Sequence, residues 1–277
     1  MNVELQIDGI TFNVVCKSNF VPSEKIPIIF LHGFTGNAND WLFLFDKINP
    51  KYFPIAIDLP GHGKSIVPNN LDYFSAKFHI KIITNLLTQF KIQKAVFVGY
   101  SMGGRAALSF AVQSPEKIIA LILESATAGI ENETERNSRI KTDYQLADKI
   151  ISNGMELFVE YWLNLPFFAS LKNLDNNIYS GIVANKKNNS PIGLSNSLKG
   201  FSTGIMPCLW NKLSLLKFPI LLIAGSLDKK YVRINKKMDL LFPNSEMKII
   251  ENCGHNTHLE KEAEFVILVN NFLKNLK

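Results

Sequence analysis

One pentapeptide, Gly99-Tyr100-Ser101-Met102-Gly103, limits what this chain of 277 residues can fold into more than any other feature. It stands between a continuous apolar run at 95–98 and a helix-length segment at 103–113 that ends before Ser114-Pro115. A G-x-S-x-G pattern between strand and helix marks a sharp turn. The serine takes a strained backbone conformation there, and the glycines let strand and helix approach closely. The serine hydroxyl is then held out at the carboxyl edge of a sheet. The other reading, a glycine-rich loop with a spectator serine, is disfavoured by the strand–turn–helix setting.

The rest of the chain supplies the sheet. Asp8-Gly9, between runs at 3–7 and 11–16, predicts a β-hairpin. Apolar runs without alternation at 27–31, 55–58, 95–98, 118–123, 219–224 and 247–250 read as strands covered on both faces. Helical spacing appears at 74–90, 103–113 and 260–276. A hairpin followed by alternating strand and helix predicts an α/β fold with a mostly parallel sheet. Residues 127–213 break the alternation: they carry helical stretches, no clear strand and a turn-rich segment at 185–193. The expectation is a helical cap at 127–213 inserted into a core of residues 1–126 and 214–277. Such a cap sits over the carboxyl ends of the strands, where ligands bind in these sheets.

Serine is a weak nucleophile and a weak base, so it needs a histidine to take its proton and an acid to orient that histidine. There are five histidines: His32, His62, His79, His255 and His258. His255 follows the last expected strand in Cys253-Gly254-His255-Asn256, and Asp228 follows the preceding strand in Ala224-Gly225-Ser226-Leu227-Asp228. Alone, each reads better as a loop residue. Together they lie on the Ser101 edge of the sheet in the chain order serine, aspartate, histidine, which predicts a catalytic triad Ser101–Asp228–His255. His32-Gly33-Phe34 follows the first long strand. The backbone N–H of Phe34 is expected to pair with that of Met102 as an oxyanion hole, while the His32 side chain reads as a structural group bonding the loop. Arg105 lies one helical turn after Ser101 on the same face. It reads either as a carboxylate clamp or as a buried arginine paired within the fold.

Composition excludes several classes. The formal charge is +6, but Lys and Arg are scattered with no run of five or six like charges, which argues against a nucleic-acid-binding arm. The excess fits an anionic small molecule or a solvated surface. Cys16, Cys208 and Cys253 show no metal-ligand spacing and imply no disulfide framework, so a cytoplasmic setting is expected. Met1-Asn2-Val3-Glu4-Leu5 lacks a signal-peptide pattern, and no stretch of 18 apolar residues predicts a membrane span. Nothing in the pattern fixes an oligomeric state.

The motifs together resemble those of the 2-succinyl-6-hydroxy-2,4-cyclohexadiene-1-carboxylate synthases of menaquinone biosynthesis, an α/β-hydrolase-fold family. The likeness runs over nearly the whole chain. It includes Leu31-His32-Gly33-Phe34-Thr35-Gly36 with Trp41, Asp58-Leu59-Pro60-Gly61-His62-Gly63-Lys64-Ser65, and Gly99-Tyr100-Ser101-Met102-Gly103-Gly104-Arg105. In the cap it includes Glu135-Arg136-Asn137-Ser138-Arg139, Asp143 and Tyr161-Trp162, and at the end Gly254-His255-Asn256-Thr257-His258 with Glu260. The resemblance implies a lyase that eliminates pyruvate from 2-succinyl-5-enolpyruvyl-6-hydroxy-3-cyclohexene-1-carboxylate with no cofactor and no metal. It implies substrate binding by Arg105, Arg139, Trp162 and Tyr100. A further cap arginine of the family is replaced here by Lys186 or Lys187, and lysine offers a point charge in place of a planar fork. Two rivals remain: a carboxylesterase or thioesterase using the same triad, and a ligand-binding protein that keeps the fold without catalysis.

Overall fold

The structure is a computed structural model that describes residues 1–17 and 25–276. Its strands are β1 (Asn2–Ile7), β2 (Ile10–Cys16), β3 (Ile26–Leu31), β4 (Tyr52–Ile57), β5 (Ala95–Tyr100), β6 (Ile118–Glu124), β7 (Ile220–Gly225) and β8 (Ser245–Ile250). They form one sheet in the order β1-β2-β4-β3-β5-β6-β7-β8. β1, β2 and β4 pair antiparallel, and every later pair is parallel. Asp8 and Gly9 take positive φ at the tip of the β1–β2 hairpin, as the turn signal requires.

The unalternating runs have a direct cause. Ala95 and Phe97 of β5 enter one apolar core, while Val96 and Val98 enter another on the opposite face. The first core is closed by α2 (Ala76–Gln89), α3 (Met102–Gln113) and, through Met238, α7 (Lys229–Asp239). The second is closed by α1 (Leu42–Phe45) and, after the single turn α8 (Thr257–Glu260), by α9 (Glu262–Lys274). Phe97 is fully buried; its truncation to alanine would cost about 3–5 kcal/mol.

Between β6 and β7 the chain forms no strand. It holds α4 (Glu133–Leu163), a 3-10 segment (Pro166–Asn173), α5 (Asn176–Lys187) and α6 (Pro191–Phe201). Side chains of Asn132, Asp175 and Ser190 cap the three α-helices, and Pro191 opens α6 where no N–H is needed. α4 is broken at Gly154, whose φ of 77° no helix accommodates. These helices bury their own apolar cluster, with Ile150, Phe158, Leu163, Phe168, Leu171 and Leu194 at its centre.

One expectation, the turn-rich segment, is corrected. The segment 185–193 is largely helical: only Asn188–Ser190 separates the end of α5 from the start of α6, because Ser190 caps a new helix at once. Periodicity also gives no notice of α7, whose interior face amounts to little more than Asn235 and Met238. Among the described residues no helix is long and apolar enough to cross a membrane.

Candidate active site

Ser101 sits at the β5–α3 turn with φ 50° and ψ −104°, a conformation that costs energy for any L side chain. The turn is tight enough to exclude flanking side chains: a Cβ on Gly99 would lie 2.5 Å from Gly104 Cα, and one on Gly103 would lie 2.1 Å from the Leu31 carbonyl oxygen. Ser101 N–H donates to the Glu124 carbonyl at 2.8 Å, which anchors the turn to β6. The Ser101 hydroxyl makes no capping bond to α3, so it is left for His255.

His255 Nε2 lies 3.0 Å from Ser101 Oγ, and His255 Nδ1 lies 2.6 Å from Asp228 Oδ2. Asp228 is the N-cap of α7, and its other oxygen accepts from Tyr231 N–H at 3.2 Å. The loops carrying the two residues are joined by Leu227 N–H donating to the Cys253 carbonyl at 2.9 Å. His255 N–H in turn donates to the Phe167 carbonyl at 3.1 Å, so the interhelical segment helps hold the imidazole loop. Rings of Tyr231, Tyr100, Phe167 and Phe168 enclose the imidazole with centroids 4.6, 5.4, 5.4 and 5.7 Å away. This dry setting strengthens the acid–imidazole hydrogen bond.

A second acid–imidazole pair lies directly behind the first. Glu124 Oε2 is 2.7 Å from His258 Nδ1, and Glu124 Oε1 accepts from Thr257 Oγ at 2.7 Å and His258 N–H at 3.0 Å. The His258 ring stacks on Trp41 at 4.2 Å. Glu124 thus supports both Ser101, through its carbonyl, and the His255 loop, through its carboxylate. Sequence reasoning did not give it that role; the available signal was an acid closing an otherwise apolar strand and a second histidine in the same loop.

Phe34 and Met102 both line the cavity above Ser101. The N–H of Met102 belongs to the first turn of α3, where no intrahelical acceptor exists and negative charge is favoured. Phe34 is followed by Thr35 at φ 68° in a turn closed by Gly36 N–H to the Gly33 carbonyl at 3.0 Å. His32 bonds that loop, as expected: Nδ1 is 2.8 Å from the Gly33 carbonyl and Nε2 accepts from Leu59 N–H at 2.9 Å.

The cavity measures about 280 Å³ and its lining includes Tyr100, Arg105, Arg139 and Trp162. Arg105 is paired within the fold and also lines the cavity. It is buried and donates to the Phe201 carbonyl, with its guanidinium carbon 5.0 Å from the Phe201 ring, and it lines the cavity. Burial pushes its pKa down to about 10, which leaves it cationic at neutral pH. Arg139 Nε donates to the buried carboxylate of Asp143 at 2.7 Å, one helical turn on. Trp162 meets Phe34 edge-on at 5.3 Å, and its indole N–H has no hydrogen-bond partner among the described residues. The lysines behave differently. Lys186 does not line the cavity: its buried ammonium donates to Thr35 Oγ at 3.0 Å. Lys187 pairs with the exposed Glu156 at 2.5 Å. The reach and direction of α5, which no spacing rule gives, decide both. Phe167 and Phe168, which belong to the family-like cap pattern, also line the cavity, as do Ser202, Thr203 and Lys230, which the sequence did not single out. Among the described residues no group of three or more His, Cys, Asp or Glu side chains is placed to hold a metal ion.

A family model described as alpha/beta hydrolase fold matches residues 26–262. A Bacillus subtilis protein provisionally named 2-succinyl-6-hydroxy-2,4-cyclohexadiene-1-carboxylate synthase is 38% identical over 269 residues, 97% of each chain. The Serratia proteamaculans protein of that name is 29% identical and covers 90% of this chain and 93% of its own. Among solved structures, MenH from S. aureus superposes with a TM-score of 0.87 at 35% identity, covering 94% of this chain and 97% of that one. A Thermogutta terrifontis esterase superposes with a TM-score of 0.85 at 19% identity, which speaks for the fold alone.

Proposed function

The chain belongs to the α/β-hydrolase family and, within it, to the 2-succinyl-6-hydroxy-2,4-cyclohexadiene-1-carboxylate synthases, and on that premise we propose that it is a carbon–oxygen lyase of menaquinone biosynthesis that eliminates pyruvate from 2-succinyl-5-enolpyruvyl-6-hydroxy-3-cyclohexene-1-carboxylate. The observation that carries the reading is a Ser–His–Asp relay opening into a cavity lined by two arginines. A relay alone suits ester cleavage. Arginines beside it suit a polyanion, and this substrate carries three carboxylates and no ester to cleave.

In this mechanism Ser101 is a base. His255 Nε2 takes the Ser101 Oγ proton, and the serine oxygen takes the ring proton next to the succinyl ketone. The C–H electron pair forms a new ring double bond, the existing double bond shifts, and the C–O bond to the enolpyruvyl group breaks. The departing pyruvate enolate takes the proton from the imidazolium and becomes pyruvate, so the enzyme ends as it began. Charge developing on the ketone oxygen is met by the N–H groups of Phe34 and Met102. Arg105 and Arg139 bind carboxylates, with Tyr100 and Trp162 packing beside the ring, and fix the acidic carbon at the serine oxygen. Helices from residues 127–213 act as a cap over a core of 1–126 and 214–277. The three free thiols of Cys16, Cys208 and Cys253 support a cytoplasmic setting.

Mass spectrometry of enzyme quenched during turnover tests the role of Ser101. Unmodified protein throughout is the expected result. A substrate-derived adduct on Ser101, formed and consumed at the rate of turnover, would promote the acyl-transfer alternative in its place.

A further inference from the structure

With neither Lys186 nor Lys187 lining the cavity, the third cation that the resemblance implies beside Arg105 and Arg139 has to come from elsewhere. Among the residues lining the cavity only Lys230 supplies it. Lys230 is in the first turn of α7, two residues after the N-cap Asp228, so the element that places the triad acid also fixes this lysine at the cavity mouth. Its ammonium lies 5.6 Å from the centroid of the Tyr231 ring, whose edge faces His255. The two carboxylates that act on it are already engaged, Asp228 with His255 and Asp143 with Arg139, and no ion pair holds Lys230 among the described residues.

We propose that Lys230 is a specificity-determining residue that binds one carboxylate of the substrate, so that three cations, Arg105, Arg139 and Lys230, meet three carboxylates. The assignment deepens the reading of the previous subsection and rests on it. The Lys230 side chain is exposed, yet the protein around its ammonium adds a desolvation cost, and the Arg139 guanidinium repels it. Both lower the proton affinity of the Lys230 ammonium, desolvation first and Arg139 second. An incoming carboxylate relieves both. A lysine is suited to the mouth: its flexible stem follows a carboxylate as it enters, while the buried Arg105 fork stays fixed by the Phe201 carbonyl. The same side chain also lines a neighbouring cleft with Thr203, Tyr231 and Glu131. Lys230 therefore borders both the cavity and that cleft.

The test compares pyruvate release by the wild type, Lys230→Gln and Lys230→Arg. The Gln variant should raise KM about tenfold, the loss of one charge-assisted hydrogen bond, with kcat within about twofold. The Arg variant should recover most of the affinity. Wild-type KM in Lys230→Gln, or a loss confined to kcat, overturns the assignment. A wild type that releases no pyruvate would instead overturn the lyase reading. Lys230 would then be judged on ester cleavage, by the preference for an acidic ester, para-nitrophenyl hemisuccinate, over a neutral one, para-nitrophenyl butyrate, each measured as kcat/KM. A weaker preference in Lys230→Gln keeps the carboxylate contact, and an unchanged preference removes it.

Discussion

At the scale of single residues, the site is a chain of hydrogen bonds in which each member has one task. Asp228 holds the imidazole, His255 Nε2 lies within hydrogen-bond reach of the serine whose proton it accepts in the proposed mechanism, and Ser101 is held strained and uncapped at the cavity. Groups sharing one proton transfer are not additive when removed. Ser101→Ala and His255→Ala should each lower kcat by roughly a thousandfold or more, and the double variant should lose little further. Steady-state kinetics of the three proteins check this, and fully additive losses would separate the two residues. The meeting of these three residues is legible from sequence because each follows a strand within a few residues, and strand ends of a parallel sheet share one edge. Lys186 was not legible in the same way. Family position pointed to the pocket, but the side chain's direction depends on how α5 lies on the loop after β3. The Glu124–His258 pair went unread for a related reason: it joins residues 134 apart in sequence, and neither stands in a motif with the other.

At the scale of elements, α5 is bound to the loop that carries Phe34. Asn37 Nδ2 donates to Asn185 Oδ1 at 2.6 Å, Asn185 Nδ2 donates to Asp40 Oδ1 at 2.9 Å, and Asn189 Nδ2 donates to the Thr35 carbonyl at 2.9 Å. With Lys186 on Thr35 Oγ, these bonds brace the positive-φ turn next to the candidate oxyanion N–H. Lys186→Met keeps the stem and removes the donor, leaving Thr35 and the half-buried Asp40 without the nearby cation. It should destabilise the fold by about 1–3 kcal/mol and lower kcat more than it changes KM. Thermal unfolding with kinetics checks both; a raised KM at unchanged kcat would return Lys186 to substrate binding. Periodicity found the elements whose apolar faces are wide, such as α2 with Phe78, Ile82, Ile83 and Leu86 buried. It missed α7, whose few interior contacts leave a polar sequence.

At the scale of the whole molecule, the interior holds three histidines in neutral form. Burial lowers the pKa of His32 to about 4, of His62 to about 3 and of His79 to about 4, from an ordinary 6.5. The unfolded chain therefore binds protons below pH 6.5 that the native chain refuses until near pH 4. Stability is full above that window and falls as pH drops through it, by up to about 1.4 kcal/mol per pH unit for each histidine. Melting temperature measured from pH 7 to 4 should decline steadily over the window; a flat profile would mean that the three rings are solvated. The fold class was legible because alternating runs admit few topologies. The direction of the helices over the site was not, since it is set by contacts such as Phe34 with Trp162 that only folding brings together. One reaction separates a lyase from an esterase at this site. Purified protein supplied with the enolpyruvyl cyclohexene substrate should release one pyruvate per substrate consumed, read by a coupled lactate dehydrogenase assay, and Ser101→Ala should release it roughly a thousandfold more slowly. No pyruvate from the wild type, or an undiminished rate from Ser101→Ala, would contradict it.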